Sequence, residues 1–162
     1  MEAQVRALVI TVSDSSYRGE REDVSGPRVK ARLEEAGYTV GAVEVVPDEG
    51  ALIAQRLKER ADGGECDVIV TTGGTGVALR DVTPEATREV IEKEIPGFGE
   101  LMRAEGLKKT RFAPLSRATA GTRGRVLIVN LPGSPKGAVE SLDAILGLVP
   151  HVHRLLNGET GH

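Results

Sequence analysis

Residues 66–87, CDVIVTTGGTGVALRDVTPEAT, place a buried strand, a glycine-rich loop and a helix start in immediate succession. The apolar, β-branched run predicts a strand over 67–71, and TGGTG predicts a loop over 72–76. Thr83 as N-cap and Pro84 at the first helical position predict the start of the next helix. In α/β proteins, a strand that leads into such a loop at the carboxyl edge of a sheet is the usual place of a phosphate-bearing ligand.

The loop contains three glycines and two threonines, so few Cβ atoms obstruct its backbone. Several N–H groups can therefore point at one anion and let it come close. No GK[ST] follows and GxGxxG is not present, so a tight turn without a ligand is the alternative. Asp81, five residues after Gly76, favours a ligand, because a carboxylate that faces a phosphate needs a cation between them. Oxygen ligands beside phosphate suit Mg²⁺, and the loop thus predicts a nucleotide or phosphate-ester site.

Length and composition describe an ordinary soluble protein. A chain of 162 residues predicts one domain, residues 1–162, that buries a core without disulfides. The net charge of −3 and the lack of a basic stripe argue against a nucleic-acid partner. Neither an apolar run of about 18 residues nor a signal peptide is present, so we expect a cytoplasmic protein with no membrane partner. The single cysteine excludes an internal disulfide and fits a reducing compartment.

The order of apolar patterns predicts an α/β fold. Strands are expected over 6–13, 38–46, 67–71 and 125–130, and helices over 28–36, 51–61, 84–93, 97–107 and 135–148. Residues 108–122 are less regular and are predicted to form an excursion or a small antiparallel piece. Because short links join a β-α-β-α-β succession, we expect a parallel sheet with helices on both faces.

Acidic or small polar residues follow the predicted strands. Asp14, Asp48 and Asp81 come after three of them, and the carboxyl ends of parallel strands meet at one edge of the sheet. A single Asp at such a place serves a turn or a cap more often than a ligand. Three of them beside a phosphate-binding loop favour metal and substrate binding instead.

Two other positions near helix starts have alternative roles. Ser25, followed by Gly26, either caps the first helix or lines an anion site at its N-terminus. Lys136 lies in the first turn of the last helix, where a cation opposes the helix dipole. It indicates either a nearby anion or a solvated lysine.

An activated nucleophile is not evident. Cys66 has no basic partner nearby and is interpreted as a small buried hydrophobe, and the histidines His151, His153 and His162 lie at the C-terminal end, far from every motif. Direct displacement assisted by Mg²⁺ therefore fits the sequence better than a covalent intermediate.

Taken in order, the motifs resemble the molybdopterin adenylyltransferase family, of the MogA-like and gephyrin G-domain type. TTGGTG and RDVTPEAT carry the resemblance, together with VSDS, DVSGP and PDE upstream and NLPGSPKG downstream. The resemblance implies a three-layer α/β/α fold with a mostly parallel sheet, assembled as a homotrimer. It also implies that Mg-ATP adenylylates molybdopterin with release of pyrophosphate, and that a separate molybdenum-insertion enzyme takes the product.

The same resemblance implies roles for individual residues. Asp48 and Asp81 match the carboxylates that the family needs for activity, and we assign Mg²⁺ to the same pair. Residues implied to bind the nucleotide and molybdopterin are Asp14, Ser25, Gly26, Thr72, Gly73, Gly74, Thr75, Gly76, Ser116, Pro132, Gly133, Ser134 and Lys136.

Three hypotheses follow for function. The first is the adenylyltransferase, and the second is a MoaB-like module that binds molybdopterin or acts as a scaffold without turnover. The third, a generic sugar or nucleotide phosphotransferase, holds only if the family resemblance is coincidental. MoaB-like relatives usually lack the full RDVTPEAT run, so its presence favours the enzyme. Two acids beside a triphosphate also have little use in a pure binding module.

Overall fold

A mostly parallel seven-stranded sheet forms the centre of the structure, a computed structural model that describes residues 4–161. Its strands are β1 (Arg6–Val12), β2 (Thr39–Val40), β3 (Glu44–Val46), β4 (Val68–Thr72), β5 (Lys93–Glu94), β6 (Ala120–Arg123) and β7 (Val126–Leu131). The order across the sheet is β2-β1-β4-β7-β6-β5, and β3 also pairs with β1. Only the pairs that involve β6 are antiparallel. The predicted α/β fold is therefore confirmed.

Seven helices cover the sheet within the described residues. They are α1 (Asp14–Tyr17), α2 (Ser25–Glu35), α3 (Gly50–Asp62), α4 (Thr83–Val90), α5 (Pro96–Leu107), α6 (Pro135–Ile145) and α7 (Val149–Leu156). A 3-10 turn joins α6 to α7, so α6 ends three residues before the predicted bound. None of the helices in residues 4–161 has the length and apolar character needed to cross a membrane.

The central strands bury side chains on both faces because successive residues point in opposite directions. In β4, Val68 and Val70 contribute to the core under α2, α5, α6 and α7, whereas Ile69 contributes to the core under α3 and α4. In β7, Val129 and Ile128 divide between the two cores in the same way. A strand buried on both faces needs a continuous apolar run, which is the pattern that the sequence has.

Two predicted elements differ from the observed ones. The strand expected over 38–46 is interrupted, and its halves β2 and β3 both pair with β1. Gly41 begins the break, since a residue without a side chain weakens a strand. The helix expected over 84–93 ends at Val90, because β5 pairs with β6 through Lys93 and Thr122. The antiparallel piece expected within 108–122 is present as β6.

The helix cap predicted at Ser134 is correct and the one predicted at Thr83 is wrong, and of the two alternatives for Ser25 the cap is not observed. Ser134 caps α6, where its Oγ accepts from the N–H of Gly137 at 3.1 Å. Thr83 is instead the first residue of α4, and its hydroxyl donates to the carbonyl of Gly73 at 2.9 Å. Ser25 likewise lies inside α2 and is buried, with its Oγ 2.6 Å from Oγ1 of Thr72. Both hydroxyls thus fix the glycine-rich strand end, and neither caps its own helix. In α2, Oδ1 of Asp23 accepts from the N–H of Gly26 at 3.0 Å instead.

Candidate active site

The carboxyl ends of the parallel strands are in direct contact. The N–H of Ser13, after β1, donates to Val46 O at the end of β3 at 2.9 Å. The N–H of Gly73, after β4, donates to Leu131 O of β7 at 3.1 Å. The loops that follow these strands are consequently gathered at one edge of the sheet, as the sequence predicts.

The glycine-rich loop is held open by its neighbours. Gly73 and Gly74 have φ values of +108° and +69°, a region that L side chains rarely adopt. A Cβ atom on Gly73 would collide with the carbonyl of Val12. The N–H groups of Gly74, Thr75 and Gly76 donate to no protein acceptor within residues 4–161. Three adjacent free donors are suited to an anion.

Asp14 and Asp48 join the first and third strands by a reciprocal pair of hydrogen bonds. The N–H of Asp14 donates to Oδ2 of Asp48, and the N–H of Asp48 donates to Oδ1 of Asp14, both at 2.9 Å. Arg80 binds the same Asp14 carboxylate, with Nε 2.6 Å from Oδ2 and Nη2 3.1 Å from Oδ1. This guanidinium lowers the pKa of Asp14 below its usual value. Asp14 therefore serves as a structural bridge behind Asp48.

Asp48 and Asp81 each retain one carboxylate oxygen without a donor in the described part of the chain. Oδ2 of Asp48 accepts from Asp14, and Oδ2 of Asp81 accepts from the N–H of Ala78 at 3.0 Å, which leaves both Oδ1 atoms free. Burial raises the pKa of Asp48, and the carboxylates of Asp14 and Asp81 act in the same direction. Such an excess of negative charge favours a bound cation.

Two cavities meet at the glycine-rich loop. The first, which we call the acidic cavity, has a volume of about 490 Å³ and includes Glu22, Asp23, Asp48 and Asp81 in its wall. The second, the α5–α6 cavity, has a volume of about 640 Å³ and lies between α5, residues 109–116 and α6. The two share a rim formed by Gly74, Asp81, Gly133 and Ser134.

Most residues predicted for the site lie on these cavities. Besides the shared rim, those on the acidic cavity are Ser25, Asp48, Thr72 and Gly73. Those on the α5–α6 cavity are Thr75, Gly76, Ser116 and Pro132. Asp14, Gly26 and Lys136 line neither cavity, and the Lys136 side chain is 87% exposed, 4.0 Å from Glu140. The local pairing of Lys136 matches the solvated alternative.

Sequence reasoning missed Arg117 and the wall that α5 provides. Arg117 binds the carbonyls of Gly76 and Asp81, each at 2.7 Å, and the carboxylate of Glu85. Arg117 lies in the irregular segment between α5 and β6. The apolar residues there follow no helix or strand period that would place a side chain at the site. No signal in the sequence pointed to its role.

The carboxylates suit Mg²⁺ better than a metal held by protein alone. Within residues 4–161, no group of three or more His, Cys, Asp or Glu side chains is arranged around a common metal position. Mg²⁺ is usually held by one or two carboxylates together with substrate phosphates and water. Asp48 and Asp81, with one free oxygen each beside an anion-binding loop, fit that donor set.

The fold and the cleft are those of an α/β protein with a glycine-rich loop of free N–H groups and two acidic side chains at the carboxyl edge of its sheet. Residues 8–153 match the model of a family described as "Probable molybdopterin binding domain". The chain belongs to this molybdopterin-binding domain family.

Curated relatives cover most of the chain. Molybdopterin adenylyltransferase of Helicobacter pylori strain J99 is 46% identical over 93% of this chain and 86% of its own length. Molybdopterin adenylyltransferase of Escherichia coli K12 is 41% identical over 87% of this chain and 73% of its own length. The predicted family resemblance is thus confirmed.

A solved structure has the same fold. The molybdopterin biosynthesis enzyme MoaB of Thermus thermophilus is 51% identical, with a TM-score of 0.89 over 96% of this chain and 98% of its own. Relatives therefore carry both the MoaB and the adenylyltransferase names. Whether this chain acts as a MoaB-like module or as an adenylyltransferase must be inferred from the residues of its site.

Proposed function

We propose that the chain is a molybdopterin adenylyltransferase, which uses Mg-ATP to adenylylate the terminal phosphate of molybdopterin and releases pyrophosphate. The observation that carries the proposal is the shared rim of Gly74, Asp81, Gly133 and Ser134 between two cavities. A reaction that joins the phosphates of two substrates needs two binding spaces with a common anion-binding edge. The named activity of the Helicobacter and Escherichia relatives supports the same reaction.

The glycine-rich loop would bind the reacting phosphates. A phosphate oxygen of molybdopterin attacks the α-phosphorus of ATP, a new P–O bond forms, and the bond from the α-phosphorus to the pyrophosphate oxygen breaks. The free N–H groups of Gly74, Thr75 and Gly76 are available to bind oxygens that carry the developing charge. Because these donors are already fixed, they need no reorganisation during the reaction.

Asp48 and Asp81 would hold Mg²⁺ through their free Oδ1 atoms. Bound there, Mg²⁺ offsets the negative charge on the pyrophosphate leaving group. Asp14 orients Asp48, because its N–H occupies Oδ2 and leaves Oδ1 on the side of Gly74. Arg80 in turn holds Asp14 and adds a positive charge near the acids. The chain thus presents two oriented oxygens at the place where the phosphates meet.

We also propose that residues 1–162 act as a single molybdopterin-binding domain in a cytoplasmic homotrimer. The product would pass to a separate molybdenum-insertion enzyme. These statements are supported by the family to which the chain belongs.

The direct test is to incubate the purified chain with molybdopterin, ATP and Mg²⁺. We expect pyrophosphate and adenylyl-molybdopterin in equal amounts, measured by a coupled assay and by mass spectrometry. Asp81→Asn should lower kcat by about 100-fold or more, the order expected when an electrostatic contribution to the transition state is lost. Asp62→Asn is the matched control, because Asp62 ends α3, a 13-residue helix that begins near the site, and lies about 20 Å away.

Two other results would replace the proposal. Tight molybdopterin binding without turnover would assign the chain to the non-catalytic module. Release of pyrophosphate or phosphate from nucleotides in the absence of molybdopterin would indicate a general nucleotide-processing enzyme.

A further inference from the structure

Arg117 makes four contacts with the segment that carries Asp81. Its N–H donates to Thr75 O at 2.8 Å, Nε donates to Gly76 O and Nη2 donates to Asp81 O, both at 2.7 Å. Nη1 binds the carboxylate of Glu85 in the first turn of α4. A planar guanidinium directs such hydrogen bonds from three separate nitrogens, whereas an ammonium group has all its donors on one nitrogen.

These contacts matter because the segment between Gly76 and Asp81 has little other support. Val77 and Leu79 are 71% and 97% exposed, so apolar packing does not fix it. Ala78 and Asp81 bond to each other inside the segment, which shapes the turn but does not attach it. Arg80 attaches the segment to Asp14 by a two-point ion pair, but only next to Asp81, and its side chain is 58% exposed. Arg117 is the attachment that reaches both ends of the segment.

The two carbonyls that Arg117 binds belong to residues of the site itself. Gly76 supplies one of the free N–H groups, and Asp81 supplies one of the free carboxylate oxygens. The guanidinium holds the peptide planes that follow Gly76 and Asp81, and so fixes the Cα that carries the Asp81 carboxylate. The plane that carries the Gly76 N–H contains Thr75 O, which the main-chain N–H of Arg117 holds. Arg117 lines neither cavity, whereas Gly76 and Asp81, which it binds, do.

We infer that Arg117 is a positioning residue for the proposed adenylyl transfer, whose guanidinium sets Asp81 through the backbone of residues 76–81. The inference rests on the proposed function for its effect on turnover. It also predicts an effect on Mg-ATP binding that does not require turnover.

The test compares Arg117→Met and Arg117→Lys with the wild-type chain. Residues that orient the ligands of a metal typically change its affinity or the activity by about 10- to 100-fold when replaced. We expect a loss of that size in kcat and in Mg-dependent ATP binding by calorimetry, with a much smaller change in KM for molybdopterin. Arg117→Lys should lose nearly as much as Arg117→Met, because lysine keeps the charge but its single nitrogen cannot occupy the positions of both Nε and Nη2.

Two control variants separate positioning from general stability. Glu85→Gln removes the ion pair but leaves the carbonyl contacts, and it should keep turnover within about twofold of the wild type, as expected for a partly exposed pair. Arg123→Met removes an arginine that binds a backbone carbonyl, Val90 O, and a carboxylate, Asp62, away from the site. It should lower the melting temperature about as much as Arg117→Met while preserving kcat.

The outcomes are decisive in both directions. Wild-type kcat and Mg-ATP binding in Arg117→Lys would overturn the inference, since charge alone would then suffice, and so would an equal loss in Glu85→Gln. If the wild-type chain binds Mg-ATP but does not adenylylate molybdopterin, the proposed function fails, and the binding data still decide the role of Arg117. A wild-type chain that does neither overturns both.

Discussion

Among single residues, Asp48 has opposite effects on stability and on the proposed chemistry. Its ionised carboxylate destabilises the fold, but it is the form proposed to bind Mg²⁺. Burial raises its pKa, and the charges of Asp14 and Asp81 add to the effect. A carboxyl group whose pKa is higher in the folded than in the unfolded state destabilises the fold at pH values where it is ionised. Asp48→Asn should therefore raise or preserve the melting temperature at neutral pH, while kcat falls by about 100-fold or more.

The stability that Asp48→Asn gains over the wild type should depend on pH. As the pH falls through the folded-state pKa of Asp48, the wild-type carboxyl becomes neutral, so the advantage of Asp48→Asn should shrink. Asp62→Asn is the opposite case, because Arg123 lowers the pKa of Asp62 by a hydrogen bond. Asp62→Asn should not raise the melting temperature at any pH, and it should leave turnover unchanged. A lower melting temperature for Asp48→Asn at neutral pH would contradict the argument.

Asp14→Asn tests how the neighbouring charge affects Asp48. The Asn oxygen can still accept from the N–H of Asp48, but the negative charge that raises the pKa of Asp48 is gone. The acid limb of kcat/KM against pH should therefore move to lower pH, provided that Asp48 must be ionised for turnover. An acid limb that stays in place or moves to higher pH would exclude Asp48 as the group that titrates. Asp62→Asn serves again as the reference, since its acid limb should match that of the wild type.

Among the structural elements, the glycine-rich loop depends on a backbone conformation and on close packing at the same time. Gly74 has a φ of +69°, and a Cβ there would collide with Thr83 Oγ1 and lie 3.2 Å from Oδ1 of Asp48. Gly74→Ala should cost more than the 1 kcal/mol or so that a left-handed alanine costs. It should also lower kcat, because both the loop and the free oxygen of Asp48 are displaced.

Gly64→Ala measures the cost of a left-handed backbone conformation without a steric collision. Gly64 has a φ of +72°, but a Cβ there meets no atom within 4 Å, and the residue lies between α3 and β4, at the other end of the sheet. Chemical denaturation should show a loss of about 1 kcal/mol with unchanged kcat. Equal effects of the two substitutions on kcat would mean that the loop does not act through its contacts with Thr83 and Asp48.

At the scale of the whole molecule, the sequence predicts the elements that follow local rules. Continuous apolar runs identify β1, β4 and β7, and Ser134-Pro135 identifies the start of α6, because these signals lie within a few residues. The end of α4 depends on the pairing of β5 with the distant β6, which local patterns do not contain. The break between β2 and β3 begins at Gly41, a local signal, but the pairing of both halves with β1 is not local.

The candidate site likewise has a part that the sequence predicts and a part that it does not. The carboxylates and the loop follow from strand ends that must meet at one edge of a parallel sheet. Arg117 could not be placed, because it is 41 residues from Gly76 and its contact is with a backbone carbonyl. Because every residue has a backbone carbonyl, the type of the accepting residue does not reveal such a contact.

Assembly is the last prediction at this scale. Four large apolar side chains are 54% to 97% exposed: Phe112 and Leu115, which line the α5–α6 cavity, and Val77 and Leu79, which lie between Gly76 and Asp81. An interface in a closed threefold ring joins two different surfaces of the chain, so such segments can be covered without a twofold contact. We expect light scattering after gel filtration to give three times the 17.2 kDa mass of one chain. A mass that stays at one chain at micromolar concentration would contradict the trimer while leaving the chemistry of the site untouched, because both proposed Mg²⁺ ligands and the loop belong to one protomer.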